Sequence, residues 1–202
     1  MPRRTDLLTG RPVEGRPTER ADAARNRAKV LAAAEALFAR TDPRTVTMDD
    51  IAKEAGVGRA TLYRRYPDPA SIATALLDEH ERRLQQSILN GAPPLGPGAP
   101  PAVRLAAFYE AMVELLDQHL PLTLGAETGL RRYETGAYGF WRAHVASLLD
   151  DAGLPATGPT VDLLLAPLAP DLFDYLRHQR KQDTAEIAAA LRLLAEQVIS
   201  RP

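Results

Sequence analysis

Cysteine is absent from the 202 residues, which excludes disulfides and thiolate metal centres and agrees with a reducing cytoplasm, where we expect the chain to reside. No apolar run approaches the roughly 20 residues that cross a bilayer. The N-terminus is rich in Arg, Pro and Gly rather than a charged end followed by an apolar stretch, so it does not read as a secretory signal. No strand-like alternation of useful length occurs. Glycine-rich phosphate loops, metal-spaced histidine pairs and nucleophile elbows are also missing, and His80, His119, His144 and His178 are scattered. These absences point away from an enzyme, from a cofactor and from a metal site.

The small net charge of −1 conceals an uneven distribution. Residues 1–67 hold 14 Lys and Arg against 9 Asp and Glu, net +5, and the remainder holds 11 against 17, net −6. A basic head on an acidic body is what phosphate attraction at one end requires, though such an asymmetry also occurs in proteins that never touch DNA.

The head carries the informative segment. Thr47 followed three residues later by Asp50 fits a capping box. Met48, Ile51, Ala52 and Ala55 then fall at helical spacing on one stripe. Gly56 stands where a left-handed C-terminal cap is needed, and Val57 can plug the corner. A second helix is expected from Arg59. With Leu62 and Tyr66 inward, a rotation of about 100° per residue places Ala60 and Arg64 outward, flanked by Thr61 and Tyr63. Arg59 then projects from the N-terminal turn, the end a recognition helix presents to base edges. This outer face suits DNA: arginines for phosphates or guanine, Thr61 and Tyr63 as donors to phosphate oxygens, and small Ala60 for close approach. The bland alternative is a solvated basic face on an ordinary helix.

The run from Thr47 to Ile72, with Ile51-Ala52, Ala55-Gly56-Val57, Thr61-Leu62-Tyr63 and Tyr66-Pro67-Asp68, resembles the DNA-binding domain of the TetR family of transcriptional repressors. Upstream, Leu31 to Ala34 and Leu37-Phe38 resemble that family's first helix, so the likeness covers about 55 residues. It implies that Thr47 contacts phosphate, that Arg59, Ala60 and Thr61 read bases, and that Tyr63 and Arg65 grip the backbone. Three positions depart from the family pattern. Gly58 replaces the usual serine-like cap, Asp49 is acidic beside the backbone, and Pro69 replaces a frequent phosphate-binding lysine. Asp68-Pro69 remains a sound helix start.

The expected architecture is all-α: an N-terminal three-helix helix-turn-helix DNA-binding domain and a C-terminal helical ligand-binding and dimerisation domain. Residues 1–18 read as a flexible basic arm, 19–67 as the DNA-binding domain, 68–90 as a connecting helix, 91–101 as a Pro/Gly-rich linker and 102–202 as the effector-binding and dimerisation domain. The arm either adds phosphate attraction or has no role. Body helices are expected over about Ala102 to Leu120, Leu122 to Thr128, Ala137 to Ala152, Thr160 to Gln179 and Asp183 to Ser200.

Two features of the body allow competing readings. Val161, Leu164, Leu165 and Leu168 on one helix, with Ile187, Leu191, Leu194 and Val198 on the next, form aliphatic stripes; the resemblance implies a four-helix homodimer interface, whereas the alternative is a monomer core. Tyr109, Met112, His119, Tyr138, Phe140, Trp141, His144 and Phe173 either surround an effector cavity or fill the interior. Pro167 and Pro170 either bend one helix and make room for a small molecule, or break it in two.

The function expected is a homodimeric repressor on a palindromic double-stranded operator, released by a small effector that is apolar or aromatic. A helical interaction dimer with weak nonspecific DNA binding is the alternative.

Overall fold

The computed structural model describes residues 17–41, 45–126 and 129–199. The expected arm falls almost wholly outside them. Every element among the described residues is helical. The chain divides into two compact units between Leu76 and Leu77, and each is described separately.

The first unit holds α1 (Pro17–Arg40), α2 (Met48–Ala55), α3 (Arg59–Tyr63) and the start of α4 (Pro69–Asn90). The stripe on α1, Val30, Leu31, Ala34 and Leu37, is buried. α2, which buries Met48, Ile51 and Ala52, packs on α1, and α3, which buries Leu62, packs on α2. Arg40 closes the end of α1 onto α2 with an ion pair to Glu54 at 2.9 Å. α4 starts at Pro69, as the Asp68-Pro69 pair requires: the Asp68 carboxylate accepts from the Ser71 amide at 2.7 Å.

The second unit begins inside α4 and contains α5 (Pro101–Ala126), a 3₁₀ segment Gly129–Glu134, α6 (Gly136–Asp151), α7 (Gly158–Leu165), α8 (Pro170–Asp174) and α9 (Thr184–Ile199). α5 is its hub, packed by α6, α8 and α9. Capping hydroxyls set the starts of α6 and α7: Thr135 accepts from the Tyr138 amide at 3.1 Å and Thr157 from the Thr160 amide at 3.3 Å. Asp183 and Glu186 exchange side chain and amide at the head of α9.

Three features of the second unit have physical causes. Residues 91–100 lie within the second unit, not at the division between units, and the loop is tightly folded: the Gly91 carbonyl oxygen leaves no room for a Cβ on Gly96. α5 consists of two helices, as expected over 102–128, joined at a kink where His119 is non-helical (φ −127°, ψ 20°) two residues before Pro121, which has no amide to donate. The expected Thr160–Gln179 helix is broken. α7 passes into a 3₁₀ turn over Ala166–Leu168, Ala169 is extended, and α8 restarts with Pro170 in its first turn before a π-helical turn at Tyr175–Gln179. The prolines therefore act as a break, not a bend.

Candidate nucleic-acid interface

Local chemistry builds the helix-turn-helix. Thr47 Oγ1 accepts from the Asp50 amide at 3.2 Å while the Asp50 carboxylate accepts from the Thr47 amide at 3.0 Å and the Thr47 hydroxyl at 2.5 Å. Those hydrogen bonds hold the Asp50 carboxyl below its ordinary value, the Thr47 side chain contributing most. Gly56 closes α2 in the left-handed conformation (φ 63°, ψ 37°), and the Val57 amide donates to the Ala52 carbonyl at 3.1 Å. Gly58 starts α3 in extended backbone without a side-chain cap. Space beside it is open: a Cβ there would meet only Thr61 Oγ1, at 3.9 Å.

α3 is short, but its backbone turn continues: the Tyr66 amide donates to the Leu62 carbonyl at 2.9 Å. Leu62 and Tyr66 are buried at 1% and 5% exposure. Thr47, Arg59, Ala60, Thr61, Tyr63, Arg64 and Arg65 are all exposed. One short turned segment thus presents three guanidinium groups, a phenol and a hydroxyl to solvent from a fixed apolar base.

Two contacts modify that face. Arg59 forms an ion pair with Asp49, ten residues earlier on α2. The acidic residue that departs from the family pattern therefore holds the leading arginine of α3. Arg64 reaches Thr61 Oγ1 at 3.5 Å, one turn back on the same helix. Sequence reasoning missed the Asp49–Arg59 pair because nothing in the spacing shows that the turn brings these side chains together.

The residues read as an effector pocket, Tyr109, Met112, Tyr138, Trp141, His144 and Phe173, are buried within the second unit. Two of their polar ends serve the fold. The Tyr109 hydroxyl donates to the Leu164 carbonyl at 2.9 Å, and the Tyr138 hydroxyl donates to the Asp162 carboxylate at 3.0 Å, so both tie α7 to its neighbours. Burial holds the Tyr109 phenol well above its ordinary value; burial and then the Asp162 bond push Tyr138 up to about 12. His144 differs, since its buried Nε2 has no partner. It packs edge-on to Phe108, with ring centroids 5.2 Å apart. Burial, then Arg104, lowers its pKa to about 4. His119, stacked 3.9 Å from His80, is lowered to about 4 by burial and then by that neighbour.

The residues read as a dimer interface lie on α7, on the 3₁₀ turn after it and on α9. Val161, Leu164, Leu168, Ile187 and Leu191 are buried in the chain's own core, with Leu194 and Val198 packed partly against it. α7 is apolar on several sides, so spacing alone does not tell which side turns inward. On α7 and α9 the large apolar side chains left exposed are Leu163, at 72%, and Leu193, at 57%.

Among the described residues no group of three or more His, Asp or Glu side chains gathers as a metal site would require. None of their helices is long and apolar enough to cross a membrane.

A capped helix, a left-handed glycine turn and a short outward-facing second helix, followed by an all-helical second unit, define a helix-turn-helix protein. Residues 30–76 match the bacterial regulatory proteins of the tetR family. An HTH-type transcriptional regulator of Mycobacterium tuberculosis is 43% identical over 61 residues, and the matched stretch spans 30% of this chain and 30% of the relative's own length. Beyond the head, the likeness is one of fold. A TetR transcriptional regulator from Rhodococcus sp. RHA1 aligns with 88% of this chain and 97% of its own at a TM-score of 0.58 and 17% identity. The fatty acid degradation regulator FadR from Bacillus halodurans aligns with 84% and 94%, at 0.61 and 15%. Sequence likeness to the tetR family thus lies in the head, residues 30–76, and the likeness of the whole chain to solved regulators is one of fold.

Proposed function

We propose that the protein is a DNA-binding transcriptional regulator, a homodimeric repressor whose paired α3 segments enter successive major grooves of a palindromic operator. The observation that carries this reading is the exposed Arg59, Ala60, Thr61, Tyr63, Arg64 and Arg65 surface on a base made rigid by Leu62 and Tyr66. A surface this small reads too few base pairs alone, so a twin must read a second half-site about 34 to 36 Å along the duplex. With the inner stripes buried, the outer sides of α7 and α9, around the exposed Leu163 and Leu193, are the surfaces on which this reading seats the twin.

Release by a small apolar or aromatic effector follows from linkage. An effector frees the operator only if it prefers conformations in which the two heads no longer match the groove spacing, a coupling of about 1 to 3 kcal/mol in typical cases. The body supplies buried aromatic side chains, and the unpartnered His144 Nε2 supplies a polar atom beside Phe108. Reciprocity requires that operator DNA weaken effector binding by the same factor; equal affinities with and without operator rule out the switch.

A second reading, a helical interaction dimer with only weak nonspecific DNA binding, draws support from the Asp49–Arg59 ion pair, which occupies one of the cations on the face. Selection of bound sequences from random duplexes, followed by a salt series on the winner and a scrambled control, separates the two. A specific reader keeps its preference as salt rises; a bare basic patch loses both duplexes together.

A further inference from the structure

The side of α3 that faces α1 borders a groove of about 480 Å³. Val30 from α1 and Val57 from the turn give it apolar lining, while Arg27 from α1 and Arg64 and Arg65, which directly follow α3, give it cationic groups. Asp22 is the carboxylate on its wall, and Arg25 engages it in an ion pair. Among the lining residues, three guanidinium groups thus face one carboxylate.

Tyr66 lines the same groove at 5% exposure, and its buried hydroxyl has no hydrogen-bond partner. A buried polar group without a partner is unfavourable, so this phenol is a donor lacking an acceptor. Arg65 reaches across the groove to the Ala23 carbonyl at 3.5 Å. That distance is at the limit of a hydrogen bond, and an anionic oxygen is a stronger acceptor for a guanidinium than a carbonyl is.

We propose that this groove seats an anionic oxygen group, a phosphate or a carboxylate, which accepts from the Tyr66 hydroxyl and is neutralised by Arg27 and Arg65. Two sources share that chemistry. One is a phosphodiester of the duplex lying along α3, which rests on the DNA-binding reading. The other is a free small organic anion, whose apolar remainder would lie on Val30 and Val57. Because Arg64 and Arg65 also belong to the DNA-facing surface, a free anion in the groove competes with DNA at the head itself.

Two arms test this on the full chain, comparing the parent with Tyr66→Phe and Arg27→Met. In the first, inorganic phosphate and benzoate are titrated against chloride at matched ionic strength while tyrosine-ring and arginine side-chain NMR signals are followed. Saturable shifts at Tyr66 and Arg65, weakened at least about fivefold by Tyr66→Phe, are expected. In the second, duplex affinity is measured over a salt series. Arg27→Met should lower the slope by about 0.9, one phosphate contact, and Tyr66→Phe should weaken binding about fivefold. Neither effect should come with a lower melting temperature, since Tyr66→Phe removes only an unpartnered hydroxyl. An effect in the second arm alone assigns the phosphodiester, in the first alone the free anion, and in both direct competition. No effect in either arm, with the parent still binding duplex, overturns the groove assignment. A parent that binds no duplex instead refutes the DNA-binding reading, and the first arm still decides the groove.

Discussion

The head and the body use the same helices in opposite ways. In the head, bonds between near neighbours close the elements: Thr47 with Asp50, Gly56 with Ala52 and Lys53, Asp68 with Ser71. One thin apolar layer then leaves a polar face turned outward. In the body, bonds that span the sequence hold the elements, Tyr109 to Leu164 and Tyr138 to Asp162, and buried polar groups such as His119 and His144 sit inside. A functional surface is readable when it is what local structure leaves over. A functional interior is harder to read, because the same aromatic and polar residues also build the core.

The largest expected effect sharpens this contrast within α3. Leu62→Ala should cost about 2 to 5 kcal/mol of head stability by emptying a fully buried site, measured by chemical denaturation of the full chain. Arg64→Ala, two residues on, should leave that stability unchanged while weakening operator binding by about 1 to 3 kcal/mol if the guanidinium reads a base. Unchanged affinity for Arg64→Ala would mean that the outward face has been assigned to the wrong side of the helix.

In the body, the contrast is tested by pH. His119 and His144 have folded pKa values of about 4 against an ordinary 6.5, so the unfolded chain binds protons first. Stability is then complete above 6.5 and falls as pH drops from 6.5 toward 4, by an amount on the order of 2 kcal/mol per histidine. His144→Phe should flatten that acid limb in a thermal-unfolding series. An unaltered slope would show that the His144 imidazole is not desolvated.

Two smaller effects return to the head. Asp49→Asn releases Arg59 and removes a negative charge beside the DNA, so duplex affinity should rise several-fold and the salt slope should steepen by about one contact. No gain would mean that the ion pair persists beside bound DNA or that Arg59 lies off the interface. Gly58→Ser supplies the missing cap of α3 in open space and should stabilise the head by a few tenths of a kcal/mol, measurable as a small rise in denaturation midpoint.

The legible parts of this chain share a cause. The bounds of α2 and the turn at Gly56 depend on groups within a few residues of each other, so sequence spacing carries the information. The inward direction of Leu62 follows from the same short range. The Asp49–Arg59 pair, the unpartnered Tyr66 hydroxyl and the groove between α1 and α3 were not legible, because each depends on how two helices meet. Burial of Val161, Leu164, Ile187 and Leu191 against their own chain was not legible either: an apolar stripe demands a partner without naming it.

Sequence alone determined the all-helical class, the capped helix-turn-helix and the outward chemistry of its second helix, since helix periodicity and end caps are short-range physics. Tertiary structure decided which apolar faces the chain keeps for itself, which arginine is held by a carboxylate and where a buried hydroxyl lacks an acceptor. Those outcomes turn on distances between residues far apart in the chain, and only packing sets such distances.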